Sequence, residues 1–545
     1  MTMKLTIDNQ AVEAAAGTTI FQAAELLGIH IPTMCYLEGH TNHPSCMVCM
    51  VKDLVNDRMI PSCAMPVSEG MQIQTHSPEI REIRREALEL LLGDHVGDCE
   101  APCRLSCPAF MNIPLMNRLI ASGHISEALT IVREEIAIPL ILGYICPAPC
   151  EKACHRRTVD EAISICMLKR FTAADEEIRM EKMKELIPDN GRKVAVIGSG
   201  PAGLSAAFYL RILGYSVTIY ERQAMAGGAL RYSIPEEKLP RRALDAEIAC
   251  LVTLGIKILT NQEIDTNRFE SEIVPGNDAV ILATGDPAEN PLLSFSLLPD
   301  PDGNIFNRKT CATVRPGIFG CGSAIKTQQM AVRSAAQGKL AAIEADLFLT
   351  SGTSKKIRYN FHSAISHLLP EETDEYLKES FPGNRVHPSG GFLEGFTDEE
   401  AMQEAGRCLH CDCRKPVSCK LRILADDYHA NRKRFIGPSR KSLTKIIRHD
   451  LVIYEPEKCI KCGLCMEITA DHNEKYGLTF TGRGFDVQIE VPFGKTLGEG
   501  ITRSAYYCVE GCPTGALSYL DQEEGVEFKM RYRITGKGWE KIGKF

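Results

Sequence analysis

The sequence predicts a multidomain chain that combines α+β and α/β modules, and three observations predict it. The chain opens with a strand, turn, strand and helix pattern, MKLTIDNQAVEAAAGTTIFQAAELLGI. Near its middle, KVAVIGSGPAGLSAAFYLRILGYSVTIYE runs from an apolar strand through a glycine-rich turn into a helix and a second strand, as parallel α/β sheets do. Nearly all of the 23 cysteines fall into five short groups. Together these features divide the chain into residues 1–78, 79–190, 191–350, 351–435 and 436–545.

The composition is that of an ordinary globular protein with several domains: 545 residues, 44% of them hydrophobic and 24% charged, with a formal net charge of -8. The longest apolar candidate, Ile136 to Ile145, falls short of the roughly 20 residues that a membrane-spanning helix needs, and it contains Pro139 and Gly143. No basic tract offers a surface to nucleic acid. We therefore expect neither direct membrane insertion nor nucleic-acid binding, and reduced, metal-bound cysteines indicate the cytoplasm of an anaerobe.

Three chemistries compete for the cysteine groups. Disulfide scaffolds are usually small and begin with a signal peptide, whereas this chain is long and begins MTMKLTIDNQ. Zinc binds four thiolates at the same CxxC spacing, so the spacing alone does not name the metal. Iron-sulfur ligation is favoured because the cysteine groups accompany a flavin-type nucleotide motif, and a zinc-containing scaffold without redox function remains the alternative.

Residues 1–78 contain four cysteines with iron-sulfur spacing: Cys35, Cys46, Cys49 and Cys63. Four thiolates on one loop and a neighbouring strand suit a [2Fe-2S] cluster, although the first gap is ten residues long and plant ferredoxins have four there. This segment resembles the N-terminal [2Fe-2S] domain of the large iron-sulfur subunit of respiratory complex I and of iron-only hydrogenases, over about 75 residues. The resemblance implies a β-grasp ferredoxin domain.

Residues 79–190 begin with a charged helix, EIREIRREALELLL, and continue into two cysteine-rich stretches. CRLSCPAFMNIP, CPAPCEKACHRRTVDEAI and MLKRF resemble the helical iron-sulfur domain of the glutamate synthase small subunit and of dihydropyrimidine dehydrogenase. That resemblance implies an α-helical domain with two [4Fe-4S] clusters whose ligands interleave. Mapped by order, the two ligand sets are Cys99, Cys103 and Cys154 for one cluster and Cys107, Cys146 and Cys150 for the other.

Each of these two clusters then lacks one ligand. His95 precedes Cys99 by the same spacing that complex I uses for a histidine ligand, so the resemblance implies that His95 completes the first cluster. A histidine in place of a cysteine removes negative charge from the ligand set and raises the reduction potential. Cys166 is the candidate for the fourth ligand of the second cluster, although relatives can use a residue other than cysteine nearby.

Residues 191–350 carry the nucleotide-binding pattern. Its glycines let the backbone approach a pyrophosphate, the helix that follows offers its N-terminal amides, and Glu221 ends the second strand, where it can accept from a ribose hydroxyl. AGGALRYSIPEEKLPRRALDAEI resembles the segment that passes the flavin in the glutamate synthase small subunit, so FAD is the expected cofactor. The candidate FAD-binding residues are Gly198, Gly200, Pro201, Ala202, Gly203, Glu221, Arg222, Gly227, Gly228, Leu230, Arg231, Thr284, Gly285, Gly322 and Ser323.

A second dinucleotide-binding unit is missing from this Rossmann-like domain. Relatives with two such units place about 110 residues, which bind NAD(P)H, between the strand ending in ATG and the PGIF segment. Here only 29 residues separate Gly285 from Arg315, and they contain no glycine fingerprint. At Ser323 the resemblance would place an aspartate beside the ribityl chain of the flavin, so that contact is weakened.

Residues 351–435 contain a polar connector and then four cysteines within twelve residues: Cys408, Cys411, Cys413 and Cys419. A loop this compact can wrap one [4Fe-4S] cluster, with the helical segment after Cys419 covering it. Zinc is a stronger competitor here because the CxC step is less typical of ferredoxins. His410 is expected to be a bystander.

Residues 436–545 resemble a ferredoxin that has lost one of two clusters. Two-cluster ferredoxins repeat a CxxCxxCxxxCP motif, and each cluster takes its fourth cysteine from the other repeat. The complete set is Cys459, Cys462, Cys465 and Cys512, whereas the second set retains only Cys508. The intervening YGLTFTGRGFDVQIEVPFGKTL and the CPTGAL ending resemble the large iron-sulfur subunit of complex I.

The sequence therefore predicts an oxidoreductase subunit that transfers electrons through FAD, one [2Fe-2S] and four [4Fe-4S] clusters and that works within a multisubunit complex. No acid-base or nucleophilic group stands out, so no catalytic residue is assigned. The expected partners resemble a complex I-type NADH/FMN subunit, a hydrogenase or formate dehydrogenase, or a ferredoxin. A self-contained NAD(P)H-dependent reductase remains the alternative within the same class.

Overall fold

The structure is a computed structural model. The residues it describes are 2–175, 188–286, 295, 297–300, 303–350, 360–365, 367–415, 417–436, 441–445, 447, 449–520, 532–535 and 538–541. The polar connector at 351–359 and part of the short segment between Gly285 and Arg315 lie outside the described residues. Within the described part of the chain, no helix has both the length and the apolar composition that crossing a bilayer would require.

The N-terminal unit is a five-stranded mixed sheet with one helix packed on it. Its strands are β1 (Thr2–Ile7), β2 (Gln10–Ala15), β3 (Met50–Asp53), β4 (Arg58–Pro61) and β5 (Gln72–Gln74), in the order β2-β1-β5-β3-β4. Helix α1 (Ile20–Leu26) begins at a capping box in which Thr19 and Gln22 satisfy each other's backbone amides. The long loop between α1 and β3 carries Cys35, Cys46 and Cys49.

A helical region follows. Its helices are α2 (Pro78–Gly93), α3 (Pro102–Ser106), α4 (Ile113–Ala121), α5 (Ile125–Arg133), α6 (Pro139–Ile145), α7 (Pro149–Lys152) and α8 (Ile165–Thr172). Helix α2 also belongs to the N-terminal unit, because the buried Arg84 donates to the carbonyls of Met50 and Thr75 at 2.7 and 3.0 Å. The short helices α4, α5, α6 and α8 bury their apolar faces in one core, and this core continues into the next unit.

The third unit is a parallel five-stranded sheet, ordered β10-β9-β6-β7-β8. The strands are β6 (Lys193–Ile197), β7 (Ser216–Tyr220), β8 (Lys257–Leu259), β9 (Ala279–Leu282) and β10 (Ile318–Gly320). Its helices are α9 (Pro201–Ile212), α10 (Ala229–Tyr232), α11 (Arg241–Thr253), α12 (Thr266–Arg268), α13 (Val274–Gly276) and α14 (Ala331–Thr350). Helices α9 and α14 pack closely, since a Cβ at Gly338 would overlap the carbonyl of Ala202.

The remaining helices are α15 (Pro370–Leu377), α16 (Gly391–Glu394), α17 (Asp398–Gly406), α18 (Lys420–Asp427), α19 (Leu464–Asp471), α20 (Leu497–Gly500) and α21 (Ala505–Gly511). Three antiparallel strand pairs accompany them: β11 (Val452–Tyr454) with β14 (Leu517–Tyr519), β12 (Thr479–Thr481) with β13 (Gln488–Glu490), and β15 (Tyr532–Thr535) with β16 (Gly538–Lys541). The β11–β14 pair brings the CxxCxxC turn beside the later CP turn, as in the ferredoxin arrangement expected from the sequence.

The N-terminal and C-terminal units contact each other directly. The imidazole of His43 hydrogen-bonds to Glu467 at 2.9 Å, and His40 lies 2.6 Å from Asp471. A shared apolar core, which includes Met34, Leu88, Leu421 and Leu464, fills the space between α2, α18 and α19. The N-terminal unit therefore packs against the helix at 464–471, although more than four hundred residues separate them in the chain.

Candidate iron-sulfur and flavin sites

The four N-terminal cysteines converge in one buried group, which we call site A (Cys35, Cys46, Cys49 and Cys63). The Sγ atoms of Cys49 and Cys63 are 3.2 Å apart, and Cys35 hydrogen-bonds to the thiols of Cys46 and Cys63. Those two contacts hold the pKa of Cys35 well below its ordinary value. Site A thus contains the complete set of thiols that the sequence predicts.

The second group was not predicted as a set. Cys103, Cys154, Cys408 and Cys411, which we call site C, line a single small cavity together with apolar residues of α4 and α8. Burial raises the pKa of Cys103 well above its usual value, and the neighbouring Cys411, Cys154 and Cys408 raise it further. Thiols that would repel each other as thiolates are thereby confined together, a situation that a cationic metal centre relieves.

Cys99 lies in a different group. Burial raises the pKa of Cys99 to about 11, and the charge of Cys413 has the next largest effect. Burial likewise raises the pKa of Cys419 to about 12, and the charges of Cys413 and then Cys99 raise it further. We call Cys99, Cys413 and Cys419, together with His95, site B. The sequence analysis joined Cys99 to Cys103 and Cys154, whereas Cys99 does not line the cavity that holds those two cysteines.

His95 lies beside site B through its contact with Lys458. The imidazole hydrogen-bonds to the Lys458 backbone, and its Nδ1 atom is buried without a hydrogen-bond partner. Burial, followed by the charge of Lys458, lowers the pKa of His95 to about 4, so the ring is neutral at physiological pH. Burial raises the pKa of Cys413, and the positive charge of Lys458 offsets part of that rise. A neutral imidazole is the form that binds metals.

The four cysteines from 408 to 419 are divided between sites B and C, contrary to the single group expected from their spacing. Asp412, which lies between Cys411 and Cys413, is fixed to α4 by two hydrogen bonds from Arg118, of 3.1 and 3.2 Å. On the far side, a Cβ at Gly515 would collide with the Sγ of Cys413. One thiol thus faces the helical region, and the next cysteine faces the C-terminal turn.

Site D (Cys107, Cys146, Cys150 and Cys166) groups as the sequence predicts. Cys166 contacts both Cys146 and Cys150, and the buried ammonium of Lys169 lies 3.9 Å from the Sγ of Cys166. Burial alone would lower the pKa of Lys169, but the four facing thiols raise it. Lys169 also donates to the carbonyl of Leu142 at 3.2 Å, so its charge is held in place. The sequence analysis did not single out this lysine, although MLKRF contains it.

Site E (Cys459, Cys462, Cys465 and Cys512) lines another small cavity between β11 and α19. The backbone amide of Lys461 donates to the Sγ of Cys459 at 3.3 Å. Cys508 lies outside this cavity lining and is fully buried in the apolar core of the C-terminal unit. The loss of the second ferredoxin site at Cys508 is consistent with this placement.

The five groups follow one another through the molecule. Cys462 of site E lies close enough to Cys35 of site A for the charge of Cys35 to raise its pKa, after the larger effect of burial. Cys512 of site E acts in the same way on Cys419 of site B. Sites B and C share one loop, and sites C and D share the segment from Cys103 to Cys107. Within the described residues, no group of three or more His, Cys, Asp or Glu side chains is arranged to hold a single metal ion.

The glycine-rich turn of the Rossmann-like unit forms a cradle before α9. Gly198 has a φ of 102°, and a Cβ at Gly203 would overlap the Gly198 carbonyl oxygen. Gly228 packs on the turn, because a Cβ there would lie 2.8 Å from the Cα of Gly200. Pro201 begins α9, so the amides of the turn and of the helix N-terminus are presented together. A pyrophosphate fits this cradle.

Glu221 is held by groups of the protein itself. The backbone amides of Ser199 and Gln223 donate to its carboxylate at 3.0 and 2.9 Å, and the Ser199 hydroxyl also donates to it. The Ser199 hydroxyl accepts in turn from the amide of Gly227 at 2.9 Å. The predicted position at the end of β7 is correct, and the carboxylate also ties the glycine turn to the segment at Gly227.

Among the other predicted flavin residues, Arg222 follows β7, Leu230 and Arg231 lie in α10, and Thr284, Gly285, Gly322 and Ser323 follow the carboxyl ends of β9 and β10. The Oγ1 of Thr284 is buried without a hydrogen-bond partner, as expected of a group that awaits a polar ligand. The Ser323 hydroxyl accepts from the amide of Gln328 at 3.2 Å, so it has a structural partner. Positive φ angles occur at Gly285 and Gly322, of 89° and 66°.

A cleft of about 810 Å³ adjoins this end of the sheet. It is lined by Pro108 and by the segment from Lys326 to Glu344, which includes the N-terminal half of α14. The Oε1 of Gln337 is buried there without a hydrogen-bond partner, and burial raises the pKa of the Glu344 carboxyl. Pro108 directly follows Cys107, so the cleft lies beside site D. The segment RPGIFGCGSAIKTQQMAVRSAAQGKLAA, which closes the flavin unit in the sequence, contains most of these lining residues, but the sequence did not single them out individually.

Three family models match parts of the chain. A 2Fe-2S iron-sulfur cluster binding domain matches residues 1–78. Domain II of dihydropyrimidine dehydrogenase, described as a 4Fe-4S cluster domain, matches residues 94–182. An NAD(P)-binding Rossmann-like domain matches residues 196–257. These matches confirm the domain types expected for the first three units.

Curated relatives match about a third of the chain. Subunit beta of an NADP(+)-dependent formate dehydrogenase from Moorella thermoacetica is 38% identical over 34% of this chain and 29% of its own length. The small chain of the NADPH glutamate synthase from Bacillus subtilis is 39% identical over 37% of this chain and 43% of its own.

A third relative has similar coverage. The PreT subunit of the NAD-dependent dihydropyrimidine dehydrogenase from Escherichia coli K12 is 37% identical over 34% of this chain and 46% of its own length. The chain therefore spans less than half of each of these three relatives. The resemblance to the glutamate synthase small subunit is confirmed: the chain is homologous, over about a third of its length, to that subunit and to the formate dehydrogenase beta and PreT subunits.

Proposed function

We propose that this chain is an electron-transfer iron-sulfur flavoprotein and an oxidoreductase subunit. It holds FAD in the Rossmann-like unit, and one [2Fe-2S] and four [4Fe-4S] clusters on the twenty candidate ligands of sites A to E. It relays electrons between a redox partner and its own FAD, as part of a multisubunit anaerobic oxidoreductase in the cytoplasm.

The observation that carries this proposal is the continuous series of thiol groups. Sites A, E, B, C and D follow one another from the N-terminal sheet to the cleft beside the Rossmann-like unit. Cys35 of site A, Cys462 of site E and Cys419 of site B belong to one packed core, and the other neighbouring pairs share a short segment of chain. Helix α6, which leads into Cys146 of site D, is joined to α11 because the amide of Leu140 donates to Glu247 at 2.7 Å. A relay needs this continuity, whereas separate structural metal sites do not.

The residues around the cradle fit FAD. The amides of the glycine turn and the start of α9 suit a pyrophosphate, and the unpartnered Thr284 hydroxyl and Gln337 amide oxygen suit polar groups of a flavin. When bound, a flavin supplies a centre that exchanges either one or two electrons. The protein orients it through the turn and α14, and Pro108 places site D at the same cleft.

The expected partners are other redox subunits. The relatives are named as subunits of a formate dehydrogenase, a glutamate synthase and a dihydropyrimidine dehydrogenase, which supports the function of an electron-transfer subunit. We propose a complex I-type NADH/FMN subunit, a hydrogenase, a formate dehydrogenase or a ferredoxin as the partner. Cys35 of site A and Cys462 of site E share one apolar core, which supports entry of electrons from a partner at this end of the molecule.

Anaerobic purification followed by iron, sulfide, zinc and flavin analysis tests the proposal. We expect about eighteen irons and one FAD per chain, with little zinc. Stoichiometric zinc with little iron would instead indicate the non-redox scaffold.

A self-contained NAD(P)H-dependent reductase is the second candidate. It is favoured by the cleft beside α14, which is large enough for a nicotinamide and contains Lys326 and Arg333. Reduction of the isolated chain by NADPH or NADH under anaerobic conditions, seen as bleaching of the visible spectrum, would establish this candidate. An unchanged spectrum, followed by bleaching with dithionite, would favour the relay.

A further inference from the structure

We propose that the loop from Cys408 to Cys419 supplies ligands to two different [4Fe-4S] clusters: Cys408 and Cys411 complete site C with Cys103 and Cys154, and Cys413 and Cys419 complete site B with Cys99 and His95. The proposal rests on the proposed function for the identity of the metal. It replaces the simpler assignment in which the four loop cysteines hold one cluster of their own.

The geometry of site C supports the assignment of Cys408 and Cys411 to that site. Its four cysteines come from three separate segments, yet all four line one cavity, whose other walls are mainly apolar and also include Asn117, His155 and Arg156. Ile113 and Pro114 of α4 and Ile163 and Ile165 beside α8 form most of the apolar part of these walls. A cavity that combines four thiols with an apolar lining suits a cluster shielded from water.

The assignment of Cys413 and Cys419 to site B depends on the surroundings of Cys99 and Cys413. The amide of Ser363 donates to the Sγ of Cys99 at 3.3 Å, as amides do to cluster-bound sulfur. Neither Cys413 nor Cys419 lines the cavity of site C. The sulfur of Cys413 lies against Gly515, at a position where any side chain would collide with it. Lys458, which contacts His95, also lies beside Gly515. The buried, unpartnered Nδ1 of His95 supplies a fourth donor without a competing partner.

The loop is anchored to two different parts of the molecule. The Arg118–Asp412 pair fixes the residue between Cys411 and Cys413, and both side chains are nearly buried. Downstream, the amide of Lys420 donates to the carbonyl of Pro513 at 2.8 Å, and Lys415 donates to the carbonyl of Cys512 at 3.2 Å. One end of the loop is thereby tied to the helical region and the other end to the C-terminal turn.

The test is an iron count on combined alanine variants of the anaerobically purified full chain. Cys408→Ala/Cys411→Ala and Cys103→Ala/Cys154→Ala should each lose about four irons, and the quadruple variant should still lose only about four. Cys408→Ala/Cys411→Ala combined with Cys413→Ala/Cys419→Ala should lose about eight irons. The proposal would be overturned if the Cys103/Cys154/Cys408/Cys411 quadruple variant lost about eight irons and the Cys408/Cys411/Cys413/Cys419 quadruple variant lost about four.

Controls separate this result from misfolding and from failure of the proposed function. Cys508→Ala and Cys250→Ala remove buried cysteines outside the five sites and should leave iron and FAD unchanged. Iron absent from the unmodified chain would refute the proposed function itself, whereas iron present with the reverse pattern refutes only the division of the loop.

Single serine variants provide a second readout if the alanine variants do not fold. In EPR spectra of the reduced protein, Cys411→Ser and Cys103→Ser should alter the same cluster signal. Cys413→Ser and Cys99→Ser should alter a second, different signal. One signal altered by both Cys411→Ser and Cys413→Ser would contradict the proposal.

Discussion

Arg118 and Asp412 form a two-pronged ion pair that joins α4 to the cysteine loop, with Nη1–Oδ1 and Nη2–Oδ2 distances of 3.1 and 3.2 Å. Their side chains are only 12% and 7% exposed. Burial opposes ionisation of Asp412, but the facing guanidinium outweighs it and holds the pKa of the carboxyl below its usual value. The pair thus keeps a negative charge fixed between two groups of thiols.

Removal of one partner from this pair should loosen sites B and C together. Arg118→Met leaves a buried carboxylate beside the thiols, and loss of one partner from a buried ion pair costs about 3–5 kcal/mol. We expect the irons of sites B and C to be released at a lower urea concentration than those of site A, as followed by EPR during anaerobic unfolding.

The double variant Arg118→Met/Asp412→Asn is the matched control for this effect. It removes both charges, so it should recover part of the lost stability. Equal iron release from all sites in Arg118→Met would show that the pair does not organise the loop.

Lys169 should raise the reduction potential of the cluster at site D. Its ammonium is buried 3.9 Å from the Sγ of Cys166, and a fixed positive charge stabilises the reduced, more negative cluster. Lys169→Met should therefore lower the midpoint potential of one cluster in an EPR-monitored titration. Lys169→Arg keeps the charge and should shift it less.

The exposed Lys152 on α7 offers a further control, because it is close to Cys150 in the chain but open to solvent. Lys152→Met should leave the potential near that of the unmodified protein, since water screens an exposed charge. A shift in Lys152→Met as large as that in Lys169→Met would argue against a specific effect of the buried ammonium.

His95→Cys should lower the potential of the cluster at site B. A thiolate adds a negative charge to the ligand set that a neutral imidazole does not, so the cluster becomes harder to reduce. Redox titration of the variant should move one EPR signal to lower potential and leave the [2Fe-2S] signal of site A in place. An unchanged set of potentials, with full iron content, would exclude His95 from the ligands.

The flavin cradle can be tested without disturbing the clusters. A Cβ at Gly228 would lie 2.8 Å from the Cα of Gly200, so Gly228→Ala should distort the turn that receives the pyrophosphate. We expect FAD affinity to fall at least about tenfold, ~1.4 kcal/mol, with the iron content unchanged. Gly276→Ala, at a position with open space around the added methyl, should retain FAD. Full FAD occupancy in Gly228→Ala would contradict the assigned cradle.

The sequence predicted most of these groups because their spacing is local. Cys146, Cys150 and Cys166 lie near one another in the chain, and α6 and α8 bring them together as expected. The division between Cys411 and Cys413 could not be predicted in this way, because Asp412 is held by Arg118, almost three hundred residues earlier in the chain. Close spacing in the chain identified the loop as a ligand source, but tertiary contacts decide which site each thiol joins.

The contact between sites A and E yields a prediction about magnetic coupling. Cys35 and Cys462 belong to one buried core, so a reduced cluster at site E would be a close paramagnetic neighbour of the [2Fe-2S] cluster at site A. A paramagnetic neighbour speeds spin relaxation, and this effect falls steeply with distance. Cys459→Ala/Cys465→Ala should therefore make the [2Fe-2S] EPR signal saturate at lower microwave power, whereas Cys146→Ala/Cys150→Ala at the distant site D should not. Equal saturation in both variants would contradict the closeness of sites A and E.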